Sequence, residues 1–222
     1  MTITGFHADS QLQQDVLDEL DFEPSVNAAH IGVTAKNGVI TLSGHVGSYA
    51  EKVAAEEAAR RVNGVHAIAQ DIEVRYPSDK KMADDEIAAR ALSILKWNAV
   101  VPYNAVQVKV QDGWVTLLGK VDWQFQRVAA ESGIRRLSGV AGVLNEITLK
   151  PHPEPFDVKR KIEEALKRSA EVEAKSIQVT SLGDGKIALE GKVHDWQERD
   201  AVKRAAWSTA GVSAIEDRLQ IV

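Results

Sequence analysis

Cationic and aromatic residues recur together at two places in this chain of 222 residues. Lys120, Trp123 and Arg127 lie near the start of a predicted helix, and a similar but less regular group follows in the last third of the chain. Free backbone N–H groups and the helix dipole favour an anion at a helix N-terminus. Trp123 and Arg127 are spaced by one helical turn, so they would share one helical face and could flank one ligand. The pattern predicts a ligand with a phosphate group and a flat ring, such as a nucleotide.

The predicted ligand-binding residues are Lys120, Trp123, Arg127, Lys192, Trp196 and Arg199. A second interpretation is a solvated helix face whose tryptophan packs against a neighbouring part of the chain, because tryptophan and arginine are common at interfaces. The remaining tryptophans, Trp97, Trp114 and Trp207, predict contacts between domains or between copies of the chain.

The residue patterns of other chemistries are missing from the sequence. There is no cysteine, which excludes disulfides, thiol catalysis and cysteine-bound metals. The six histidines show no His-x-x-x-His spacing, so no metal site is predicted. The sequence contains neither a glycine-rich phosphate loop nor a serine in a nucleophile elbow. These observations predict a protein that is not an enzyme and needs no cofactor.

The elements that must position the candidate residues occur three times along the chain. Each copy holds a hairpin-turn pair, a strand ending in glycine and, further along, a Gly-Val pair. The strand glycine and the Gly-Val pair move by the same number of positions from the first copy to the second, and again from the second to the third. This shared shift indicates tandem domains. The turns are Asn37-Gly38, Asp112-Gly113 and Asp184-Gly185, the strand glycines are Gly44, Gly119 and Gly191, and the later pairs are Gly64-Val65, Gly139-Val140 and Gly211-Val212.

Hydrophobic periodicity gives every copy the order helix, strand, strand, helix, strand. The first helix has an apolar stripe, such as Ile87, Ala91 and Leu95 in the second copy. Two alternating strands follow, joined by a tight turn. The crossover through the second helix predicts parallel, right-handed pairing of the last strand. We therefore predict an α+β fold: three tandem α-β-β-α-β two-layer domains, each a small mixed sheet with both helices on one face.

The predicted domains are residues 1–76, 77–150 and 151–222, with linkers at 77–83 and at the proline-rich segment 151–155. The second helices are predicted at about 48–62, 123–137 and 195–209. In the first copy this helix should face inward through Ala54, Ala58 and Val62. The third copy carries one extra residue before its turn, which we place in Thr180–Gly183.

Charge differs among the three copies. Residues 1–76 hold 5 Lys and Arg against 11 Asp and Glu, residues 77–155 hold 10 against 9, and residues 156–222 hold 12 against 12. Since no copy is basic, binding of a nucleic-acid polymer or an anionic bilayer through bulk charge is not expected. The N-terminus lacks the features of a secretory signal and no apolar run approaches the length of a membrane span, so we expect a cytoplasmic protein.

The copies resemble a known bacterial domain. An Asp-Gly or Asn-Gly turn, a strand ending in Leu-x-Gly-x-Val, an alanine-rich charged helix, a Gly-Val pair and a last strand are similar to the BON domain of osmotically inducible and nodulation proteins. The resemblance covers nearly the whole chain. It implies the α-β-β-α-β fold, no catalytic residues, a role in osmotic and envelope stress, and association with phospholipid or other ligands.

Three functions follow as alternatives. The first is a non-enzymatic, stress-associated protein that binds a phosphate-bearing small ligand near the second helices of copies two and three. The second is a peripheral protein that contacts phospholipid head groups, as the resemblance implies. The third is a structural oligomer or chaperone-like scaffold. Small domains with many aromatic residues also favour self-association into a homo-oligomer.

Overall fold

The computed structural model describes residues 3–77, 82–150, 157–169, 172 and 176–222. Each copy, called repeat 1, 2 or 3 below, has the predicted order helix, strand, strand, helix, strand. The helices are α1 (Ile3–Phe22), α2 (Tyr49–Arg61), α3 (Asp84–Trp97), α4 (Gln124–Arg135), α5 (Val158–Arg168) and α6 (Trp196–Trp207). The strands are β1 (Ile31–Lys36), β2 (Val39–Val46), β3 (Ala67–Val74), β4 (Val106–Gln111), β5 (Trp114–Val121), β6 (Gly142–Leu149), β7 (Ile177–Gly183), β8 (Lys186–Val193) and β9 (Ala214–Ile221). Residues 78–81 of the predicted linker 77–83, and all of the predicted linker 151–155, lie outside the described residues.

Each repeat forms its own three-stranded sheet, with strand order β1-β2-β3, β4-β5-β6 and β7-β8-β9. The first two strands of repeat 1 are antiparallel, and β3 pairs with β2 in parallel. Repeat 3 has the same mixed pairing, with a shift of register between Ser181 and Gly183. This irregularity accommodates the extra residue predicted in Thr180–Gly183. The α+β fold predicted from periodicity is confirmed.

The hairpin turn of each repeat is hydrogen-bonded to the segment that carries the Gly-Val pair. In repeat 1, Asn37 and Gly38 have φ values of 52° and 76°, as a type I′ turn requires. The Gly38 carbonyl accepts the N–H of His66 at 2.8 Å. The equivalent bonds join Gly113 to Ala141 and Gly185 to Ser213. This contact explains why the two landmarks keep the same separation in every copy.

The first helix and the second helix of repeat 1 share one hydrophobic core with the sheet. Residues Val16 and Leu20 of α1 are fully buried in it. The inward stripe of α2 was predicted wrongly in part, because Ala55, Ala58 and Ala59 are buried while Ala54 is only half-buried. The helix ends at Arg61, and the C-cap residue Val62 has an extended backbone, so its side chain does not continue the helical stripe. By contrast, the predicted stripe of α3 is buried throughout.

Contacts divide the chain into two compact units, Met1–Gly119 with Val128–Glu146 and Lys120–Arg127 with Ile147–Val222. Within the first unit, Tyr76 connects repeats 1 and 2. Its hydroxyl donates to the Val140 carbonyl at 2.5 Å and accepts the N–H of Tyr49 at 3.4 Å. Burial raises the pKa of Tyr76, which keeps the hydroxyl protonated as a donor. Arg135 and Glu57 add an ion pair at 3.8 Å.

Candidate functional site

The predicted cations Lys120 and Lys192 each follow a strand glycine. No other residue can replace this glycine without backbone strain. Gly119 has φ 143°, and a Cβ at this position would fall well inside 3.0 Å of the Ala105 carbonyl oxygen. The equivalent Gly44 and Gly191 make the same close approach. These glycines therefore serve the fold. The residue that follows Gly119, Lys120, is exposed at the end of β5, and Lys192 is exposed at the same place in repeat 3.

The helices α2 and α6 begin with capping boxes that the sequence analysis did not predict. In repeat 3, Asp195 accepts the N–H of Glu198 at 2.7 Å, and the Glu198 carboxylate accepts the N–H of His194 at 2.7 Å. Ser48 and Glu51 form the same arrangement in repeat 1. Glu198 is only 6% exposed. A carboxylate thus already satisfies N–H groups that an anionic ligand would use, and its charge repels a phosphate.

The start of α4 differs from the other two. Gln126 Oε1 accepts the N–H groups of Asp122 and Trp123, each at 3.0 Å. Trp123 precedes the helix and contributes its carbonyl to the first turn, accepting the N–H of Gln126 at 3.1 Å. Trp123 therefore takes the capping position, one residue before α4, although the helix was predicted to begin at this residue. Trp123 is 37% exposed.

Repeat 3 brings two of its predicted residues into contact. The guanidinium of Arg199 lies 5.1 Å from the centre of the Trp196 ring. The same guanidinium donates to Asp217 at 3.1 Å, and Lys203 lies 3.4 Å from that carboxylate. Burial raises the pKa of Asp217, but hydrogen bonds from Arg199 and the Leu219 N–H, together with the two cations, lower it overall. The charge of Arg199 is therefore already balanced inside the protein.

A phosphate would meet the least opposing charge in repeat 2. Its capping side chain is the neutral Gln126, at the position occupied by a carboxylate in repeats 1 and 3. The nearby Asp122 carboxylate is paired with Lys150 at 3.2 Å. Sequence spacing alone could have found this difference, since the three capping residues are related by the same shifts as the strand glycines. Whether the predicted residues bind a ligand remains a prediction.

A second surface of repeat 2 was not singled out from the sequence. Four large apolar side chains are exposed at the end of α3 and in the loop to β4. We call this the α3 end surface, and its residues are Leu92, Trp97, Val100 and Tyr103. Trp97 is 83% exposed and Tyr103 is 74% exposed. A shallow cavity of about 240 Å³ borders the surface, lined in part by Leu92, Lys96 and Tyr103.

The described part of the chain lacks two further kinds of site. No group of three or more acidic or histidine residues within it could hold a metal ion. Within the same ranges, no helix combines the length and apolar character needed to cross a bilayer.

The comparisons with known proteins agree with this repeat architecture. A family profile of the BON domain matches residues 8–76, 83–151 and 156–222. Osmotically-inducible protein Y of Escherichia coli strain K12 is 32% identical over 156 residues, which covers 67% of this chain and 76% of that protein.

Among solved structures, two of CdsD, a structural protein of the type III secretion system of Chlamydia trachomatis, align with 95% and 96% of this chain and with 97% and 92% of theirs. Each has 15% identity and a TM-score of 0.27, values too low to support any conclusion. The three profile matches and the curated relative establish the family, and the chain belongs to the BON domain family as a tandem array of three copies.

Proposed function

We propose that this chain is a non-enzymatic, stress-associated protein that docks on phospholipid surfaces through the α3 end surface. The stress role is supported by the name of its relative, an osmotically inducible protein. The docking role is supported by one observation, the exposure of Trp97, Tyr103, Leu92 and Val100 at the end of α3 and in the loop that follows it. Apolar patches with polar rims mark interaction sites, and tryptophan and tyrosine favour the interface between lipid and water.

The other repeats are less suited to this role. Phe22 is the counterpart of Trp97 in repeat 1 and is 79% exposed, but Asp21 and Glu23 flank it. Acidic side chains are repelled by anionic lipid head groups. In repeat 3 the same position is occupied by Arg168, which has no apolar ring to insert. Repeat 2 combines the exposed rings with Lys96 and no adjacent carboxylate.

The test is flotation of the full chain with phosphatidylcholine vesicles, with and without phosphatidylglycerol. The variant Trp97→Ser/Tyr103→Ser removes the two rings, and Phe22→Ser is the matched control. If half of each ring enters the interface, roughly 75–125 Å² per ring at about 25 cal/mol per Å² gives about 2–3 kcal/mol per ring, or about 4–6 kcal/mol for both rings. We expect partitioning at least about a hundredfold weaker for the double variant and unchanged for the control. Equal binding by the double variant and the unmodified chain would contradict the proposal.

A second candidate function is supported by the neutral cap of α4. Lys120 is exposed at the end of β5, and Trp123 and Arg127 lie at the start of α4, whose capping side chain is uncharged. We propose this group as the better of the two predicted phosphate sites, because its capping side chain is the neutral Gln126 where repeat 3 has the Glu198 carboxylate. Titration with ATP should quench tryptophan fluorescence in the unmodified chain and in Lys192→Ala, but not in Lys120→Ala/Arg127→Ala. No quenching of the unmodified chain would exclude a nucleotide at this group.

A further inference from the structure

The sheet of repeat 2 carries a tryptophan on the face opposite its core. Successive side chains of a strand point to opposite faces. Val115 and Leu117 of β5 are buried in the core, so Trp114 and Thr116 lie on the other face. Trp114 is 55% exposed. A large aromatic ring in this position needs an explanation, because the fold places no core there.

The Trp114 ring lies flat against the backbone of Gly142. An ideal Cβ built on Gly142 would fall within 3.0 Å of Cε3, Cζ3 and Cη2 of the ring. These atoms are consecutive in the six-membered ring and almost equidistant from that Cβ. This is the geometry of a face-on approach, since an edge-on approach would place the outer two much farther away. One ring face therefore covers Gly142, and the other is turned to solvent.

The tryptophan and the glycine occur together in repeat 2 alone. At the equivalent positions, repeat 1 pairs Val39 with Ala67, and repeat 3 pairs Lys186 with Ala214. Gly142 is not among the residues with positive φ, so its backbone does not require glycine. The missing Cβ makes room for the flat ring. Repeat 2 is thus specialised at two positions for one feature, the orientation of Trp114.

Polar side chains surround the solvent-facing ring. Lys109, Gln111, Asp112 and Thr116 line, together with Trp114, a shallow cavity of about 250 Å³. Within the described part of the chain, none of these four side chains has a hydrogen bond or ion pair. They offer both hydrogen-bond donors and hydrogen-bond acceptors. The positive charge of Lys109 balances the negative charge of Asp112. A neutral, hydroxyl-rich ligand fits this lining better than a phosphate does.

We propose that Trp114 is the platform of a saccharide-binding site on the open sheet face of repeat 2, independent of the phospholipid surface. The C–H groups on one face of a pyranose ring carry partial positive charge and pack on the negative face of the indole. The sugar hydroxyls then exchange hydrogen bonds with Gln111, Asp112 and Thr116. The cavity is smaller than the roughly 300–1,000 Å³ of drug-sized sites, which suits one ring of a sugar chain.

Saturation-transfer difference NMR on the full chain tests this proposal with cellohexaose, chitohexaose and maltohexaose, each up to about 10 mM, near the weak end of ligand affinity. Trp114→Val installs the residue of repeat 1 and should fold normally, while weakening binding at least about tenfold. Gly142→Ala keeps the tryptophan but lifts its ring, so it should also weaken binding. Trp97→Ser is the control, because it removes another exposed tryptophan of the same repeat and should bind like the unmodified chain.

Three results would overturn the proposal. The first is the absence of a saturation-transfer signal from all three sugars with the unmodified chain. The second is equal binding by Trp114→Val and the unmodified chain. The third is a smaller sedimentation coefficient of Trp114→Val without any sugar binding, which would make this sheet face a contact between copies of the chain.

Discussion

Two glycines of one hairpin in repeat 3 allow a direct test of why the repeat requires its strand glycine. Gly183 and Gly191 both have positive φ, 86° and 140°. A Cβ on Gly183 would meet nothing within 4 Å, whereas a Cβ on Gly191 would fall well inside 3.0 Å of the Ser176 carbonyl oxygen. Alanine at Gly183 therefore adds backbone strain alone. Alanine at Gly191 adds strain and a collision with the backbone.

Gly191→Ala should lower the free energy of unfolding of repeat 3 several times more than Gly183→Ala. A left-handed backbone costs alanine about 1–2 kcal/mol. The lower entropy of the unfolded chain offsets about 0.4–1 kcal/mol of this. Gly183→Ala should thus destabilise repeat 3 by about 1 kcal/mol or less. Gly191→Ala must also displace β7 and disrupt the pairing of Ile177 with Gly191, and should cost about 3 kcal/mol or more.

Hydrogen exchange followed by mass spectrometry measures both effects in the full chain. Peptides from β7 and β8 report the local free energy of opening, and peptides from repeat 1 serve as the internal control. Protection in repeat 3 should fall sharply for Gly191→Ala and only slightly for Gly183→Ala. If the two variants agree within about 0.5 kcal/mol, the collision with the Ser176 carbonyl does not explain the requirement for glycine.

Two further predictions concern polar contacts. The pKa of Asp217 is lowered in the folded state, so its carboxylate stabilises repeat 3 fully above about pH 4, and this contribution is lost as the pH falls through the folded pKa. The hydrogen-exchange protection of β9 should therefore fall more steeply between pH 5 and pH 3, roughly, in the unmodified chain than in Asp217→Asn, and parallel profiles would contradict this reasoning. Tyr76→Phe removes the hydroxyl that donates to Val140. It should lower the free energy of unfolding of the first unit, measured by urea denaturation, by about 1–2 kcal/mol. Tyr103→Phe alters an exposed hydroxyl and should leave that value unchanged, so equal effects of the two variants would refute a bridging role for Tyr76.

The candidate site was predicted only in part, because local spacing does not show which groups satisfy one another. The spacing grouped Trp196 with Arg199 as two sides of one ligand, and in the structure the Arg199 guanidinium lies 5.1 Å from the centre of the Trp196 ring. It did not show that Asp217, from the last strand of the repeat, balances Arg199. It also placed Trp123 inside the helix, since the boundary depends on which side chain caps the first turn.

The sequence by itself determined the architecture of this protein. Turn pairs and Gly-Val pairs recur at constant separation, because a type I′ turn needs positive φ and its carbonyl accepts a hydrogen bond from the later segment. Such requirements are local and appear directly as residue types. The tertiary structure decided which aromatic rings remain on the surface. Trp97 and Trp114 are exposed because sheet pleating and the end of α3 direct them away from the core, and a one-dimensional pattern does not record that direction.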